Sequence, residues 1–154
     1  MSELQISEAQ RANLEPLLDV LIPASGDFAA AGALGVAKFI DARIADTKGF
    51  AKTAHAVLSR IDALVNDAKA GSLASLPNAD RVTLVRQVEA SDPLTFLAFL
   101  MQVYLGYYTN PAIPPKLGFP DRPPQPLGHT LPVDDNLEEL LGPVRRRGRH
   151  YRQC

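Results

Sequence analysis

Apolar side chains recur at three- and four-residue intervals through the first two thirds of this chain, the period of an amphipathic helix, and the rhythm stops after Tyr108. Ser7 and Gln10 make a capping box ahead of Leu14, Leu17, Leu18, Leu21 and Ile22, which predicts a first helix over residues 8–22, stopped by Pro23. Pro16 inside it predicts a kink or a helix in two parts, because proline deletes a hydrogen bond and crowds the preceding turn. Residues 23–32, PASGDFAAAG, form a turn-rich loop. Val36, Phe39, Ile40 and Ile44 then share one face of a short second helix with Gly49 as its stop. Leu58, Ile61, Leu64, Val65 and Ala68 mark a third helix over residues 50–69, ending before Gly71.

A fourth, shorter helix is capped by Asn78 or Asp80 and runs to Ala90 on Leu84, Val85 and Val88. Asp92-Pro93 restarts the chain with an N-cap and a proline at the first helical position. The fifth helix carries Leu94, Phe96, Leu97, Phe99, Leu100, Met101, Val103, Tyr104 and Leu105, so little polar face remains and it is expected at the centre of the bundle. Nine of the thirteen prolines fall between Pro111 and Pro143, so an extended, polyproline-like strap with turns is expected after the helices. Residues 135–141 suffice for one or two helical turns before Gly142-Pro143. The fold class is therefore all-α: a small bundle of about five helices over residues 1–108, then a proline-rich irregular extension over 109–154 with a basic end.

Length and composition sharpen this only a little. At 154 residues, 46% apolar and 21% charged, the chain matches one soluble globular domain. No apolar run approaches the roughly 18 residues needed to cross a bilayer, so membrane insertion is not expected. Met1–Gln5 carries neither a basic region nor a twin arginine, which makes a cytoplasmic location the expectation, and a periplasmic one only if a partner carries the export signal. Cys154 is the single cysteine and supports neither an internal disulfide nor a cysteine-rich metal site. The net charge of -1 hides a local asymmetry, since five arginines stand between Arg145 and Arg152.

Candidate chemistry is sparse. His55, His129 and His150 lack the spacing that places two ligands on one helix face. Ser25 follows a helix, whereas a nucleophile elbow follows a strand, and Gly26, Gly32 and Gly35 make no dinucleotide fingerprint. No catalytic, metal or cofactor-binding residue is assigned. Asp134, Asp135, Glu138 and Glu139 read as a solvated acidic face. The run from Arg145 to Arg152, with Tyr151 available for stacking, is an alternative nucleic-acid-binding segment, weighed against an arginine clamp on an acidic partner. Gly106-Tyr107-Tyr108-Thr109-Asn110-Pro111 is the sharpest local signal. Adjacent helical tyrosines cannot face the same core, so one of Tyr107 and Tyr108 points outward or into the strap. Proline-rich segments lose little entropy on docking, which makes the strap a candidate contact surface.

Leu18-Asp19-Val20-Leu21-Ile22-Pro23-Ala24 resembles the "LIPA" helix end of gluconate 2-dehydrogenase subunit 3, the small or gamma subunit of FAD-dependent sugar and alcohol dehydrogenases. The stretch Ala31-Gly32-Ala33-Leu34-Gly35-Val36-Ala37-Lys38-Phe39-Ile40-Asp41 is similar to the family's "AG-V--FID", and residues 106–111 to its "GYY-DP". Ala112-Ile113-Pro114-Pro115-Lys116 stands where relatives have a glycine-rich "GGN", and Gly118-Phe119 where they have Gly-Trp. The resemblance implies a non-catalytic subunit that binds and stabilises, in a chaperone-like way, a large glucose-methanol-choline type flavoprotein holding the FAD. Joined to the strap reading, it marks Tyr107, Tyr108, Asn110, Pro111, Pro114, Pro115, Gly118, Phe119, Pro126 and Gly128 as partner-binding candidates.

Overall fold

The Ser7 hydroxyl accepts a bond from the Gln10 amide at 3.1 Å while the Gln10 side chain accepts one from the Ser7 amide at 2.9 Å, so the capping box that opens the first helix, α1 (Glu8–Leu21), is complete. The computed structural model describes residues 6–119 and 136–147, and every regular element among them is helical. The elements are α1, α2 (Val36–Asp46), α3 (Lys48–Asp67), α4 (Asn78–Ser91), α5 (Pro93–Tyr108) and α6 (Leu137–Arg146), with 3₁₀ turns at Leu73–Ser75 and Pro114–Leu117. The chain divides into two units, Met1–Asp121 and Arg122–Cys154.

Within the first unit, α3 is the hub, packing against α1, α2, α4 and α5. It is buried along Phe50, Ala51, Ala54, Val57, Leu58, Ile61 and Val65. Pro16 does not divide α1: the helix is continuous across it, held by the fully buried Leu14, Leu17 and Leu18 on either side. Two polar side chains of α1 are also buried and fully engaged. Asn13 donates to Asp62 at 2.8 Å and accepts from the Leu73 amide at 2.7 Å, and Gln10 donates to Ser59 at 3.1 Å. These bonds tie α1 to α3 and to the first 3₁₀ turn, and meet the need of buried polar groups for partners.

Several boundaries differ from expectation. The break between α2 and α3 is Thr47, in extended conformation, and Gly49 lies in the first turn of α3. Where α3 ends, the left-handed residue is Lys69 (φ 54°), not the nearby Gly71. Pro77 precedes α4, with Asn78 as the first helical residue, and Arg81 instead fastens the entry by donating to the Leu76 and Ala74 carbonyls, each at 2.7 Å. Asp92 caps α5 as expected, accepting from the Thr95 amide at 3.1 Å. Hydrogen bonding from Thr95, side chain and backbone, holds its carboxyl below the ordinary carboxylate range.

The expectation of a central, surrounded α5 is overturned. Only the face carrying Phe96, Phe99, Val103, Gly106 and Tyr107 is buried, because α2, α3 and α4 flank the helix on that side. Nor does order cease at Tyr108: Ile113 is fully buried in the same core, and the following 3₁₀ turn closes on Gly118, which takes the positive φ of 82°. In the second unit α6 continues through Gly142-Pro143 to Arg146 instead of stopping before them. An ion pair two turns apart, Arg145 to Glu138 at 2.5 Å and 3.1 Å, spans that point.

Candidate partner interface

Three separate segments meet where α5 ends. Asp19 on α1 accepts from the Gly32 amide at 2.8 Å, and a Cβ on Gly32 would lie 2.7 Å from that oxygen and 3.1 Å from the Glu15 carbonyl oxygen, so a side chain here would have to push Asp19 out of this bond. The loop folds back on itself through reciprocal bonds between Ser25 and Phe28, and the Ala31 amide reaches the Ile22 carbonyl at 3.1 Å. From the other side, the Tyr107 hydroxyl donates to the Ala29 carbonyl at 2.9 Å and the Asn110 side chain donates to the Leu34 carbonyl at 3.0 Å. Lys116 donates to the Asp27 carbonyl and its ammonium lies 6.0 Å from the centre of the Phe28 ring. Residues 22–35 are thereby clamped between α1 and the end of α5.

Tyr107 and Tyr108 part company as their adjacency requires. Tyr107 is buried, and burial, with a smaller repulsive contribution from Tyr108, raises its phenol above the ordinary range. Tyr108 is half exposed and rests edge-on against the Tyr107 ring, centroids 5.3 Å apart at 87°. The Tyr104 ring lies 6.2 Å beyond it along the helix.

Tyr108 ends an outward stripe formed by Leu94, Leu97, Met101, Tyr104, Leu105 and Tyr108, with exposures from 37% at Tyr104 to 80% at Leu94. Ala98 is exposed on the same face. These positions follow the i, i+3, i+7 rhythm of one helix side, and no charged residue occurs anywhere in α5. A contiguous apolar face of this kind is characteristic of an interaction surface. Leu117 and Phe119 are exposed further along.

The candidates marked in the sequence thus separate. Tyr107 and Asn110 face inward and bind the loop. Pro114 is half buried, whereas Tyr108, Pro111, Pro115, Gly118 and Phe119 are exposed. Pro126 and Gly128 lie outside the described residues. Missed in the sequence were Leu94, Leu97, Met101, Tyr104 and Leu105, although the signal was present: a helix apolar on every side has one face more than its neighbours can cover. Among the described residues no group of acidic, histidine or cysteine side chains is arranged to hold a metal ion.

The three segments that meet here carry the family resemblance, and the family model of gluconate 2-dehydrogenase subunit 3 matches residues 8–117. The chain belongs to this family. It is accordingly a dehydrogenase subunit, and the match spans the first unit from α1 through the second 3₁₀ turn. Neither the curated proteins nor the solved structures include a match.

Proposed function

We propose that this chain is the non-catalytic small subunit of an oxidoreductase acting on CH–OH donors, and that it binds and stabilises a large FAD-containing subunit of the glucose-methanol-choline type. The observation that carries the reading is the outward stripe of α5, an apolar face without a charge on a subunit-family protein. A sixteen-residue helix is about 24 Å long at about 1.5 Å per residue. One such face supplies the centre of an interface of about 800 Å² per partner, not the whole of it. Pro111, Pro115 and Phe119 are exposed beyond the helix end. Tyrosine, methionine and leucine at the middle with polar groups outside is the usual anatomy of such contacts. The FAD and the reacting groups belong to the large subunit, and the small subunit acts by covering surface that the large one would otherwise expose.

Co-expression with the large dehydrogenase subunit, followed by size-exclusion chromatography, tests this. Co-elution, with the large subunit losing solubility when produced alone, is expected. Separate elution, with full flavin-dependent activity in the large subunit by itself, would overturn the reading.

A further inference from the structure

We propose that α6 is an interfacial helix that lies along an anionic lipid surface. Leu137, Leu140, Leu141 and Val144 stand at i, i+3, i+4 and i+7, which places them in one stripe. Leu140 is 62% exposed and Val144 57%, so the stripe is open. At about 100° per residue, Arg145 and Arg147 border this stripe on opposite sides, while Glu139 and Arg146 lie behind it. Glu138 is paired with Arg145 in an exposed contact, which offsets part of the negative charge that it turns toward an anionic surface. Arginine stems beside a leucine stripe can lie along the acyl boundary and raise their guanidinium groups to the phosphates.

Charge complementarity selects the lipid. The helix ends in Arg145-Arg146 with Arg147 as its C-cap, and the sequence continues with Arg149 and Arg152 without an acidic residue. Each basic side chain near an anionic bilayer strengthens attachment about fivefold, and the leucines add burial that a nucleic-acid backbone cannot offer. Among the described residues no helix is long and apolar enough to cross a membrane, so the attachment is parallel to the surface. The inference does not depend on the dehydrogenase partner, since it concerns the second unit alone.

Flotation of the full chain with vesicles of phosphatidylcholine, with and without phosphatidylglycerol, tests it. Binding is expected only with phosphatidylglycerol, weakening as salt rises. Leu140→Asp should lower it by more than about tenfold, and Arg145→Gln with Arg147→Gln by a similar factor, both with the circular dichroism of the helical body unchanged. No flotation, or Leu140→Asp binding as tightly as the parent, overturns the proposal. So does single-stranded RNA that displaces the vesicles and binds the Leu140→Asp chain undiminished, which would make the arginines a nucleic-acid site.

Discussion

A Cβ on Gly106 would stand 2.6 Å from Cδ1 of Phe39, so α5 crosses α2 with its backbone pressed against that ring. Val36 closes the same gap, with its Cγ1 3.1 Å from the Cβ position. Gly106→Ala should therefore destabilise the protein by about 1–3 kcal/mol through overpacking, despite alanine's better helix propensity. Urea denaturation measures it. Adding Phe39→Leu should recover part of the loss, and a double mutant no better than the sum of the two changes would show that the sites do not couple.

Tyr107→Phe removes the hydroxyl that holds the Ala29 carbonyl and should cost about 0.5–1.5 kcal/mol at neutral pH. The same variant carries a pH signature. The folded phenol ionises above its ordinary value of 10.0, so its contribution is fully present below that pH and is lost as pH rises through the folded value. Stability of the parent should fall over that alkaline window more steeply than stability of Tyr107→Phe. Parallel alkaline curves for the two proteins would contradict the assignment.

Lys69 occupies the left-handed position that ends α3, with φ of 54° and an exposed side chain. Lys69→Gly should stabilise by about 0.5–1 kcal/mol, since glycine adopts this conformation without a Cβ penalty. Thermal unfolding should show a higher Tm. Gly71→Ala should not lose stability, because Gly71 takes no positive φ and a Cβ there would meet nothing within 4 Å.

Leu97→Asp with Met101→Asp alters only the exposed face of α5. Folding stability of the isolated chain should fall by only about 1 kcal/mol, the helix-propensity and like-charge cost of two exposed aspartates four residues apart. Co-elution with the large subunit should be lost. Retained co-elution would move the interface elsewhere on the unit.

Much of the bundle was legible from periodicity and caps. Ser7 with Gln10, and Asp92 with Pro93, announce α1 and α5 because the capping chemistry is local. What escaped was decided at a distance. Gly49 looks like the stop of the second helix, yet Thr47 makes that break and Gly49 joins the first turn of α3, whereas α3 does end before Gly71, with Lys69 taking the left-handed conformation. Asn13 shows only helical spacing in sequence, and its bonds to Asp62 and Leu73 arise from residues about fifty to sixty positions away. The apolar character of α5 was plain, but sequence does not count how many neighbours a helix will have. For the same reason Tyr107 and Asn110, prominent beside the prolines, belong to the clamp on residues 22–35, whereas Leu94 and Met101 supply the open surface.

The open face of α5 also bears on how much of this chain a solution can hold. With a net charge of -1, copies meet with little mutual repulsion, and the stripe from Leu94 to Tyr108 gives each encounter something to adhere to. If the proposed pairing holds, the unpaired chain has a solubility ceiling set by one helix face, and a cell making it in excess of its partner meets that ceiling.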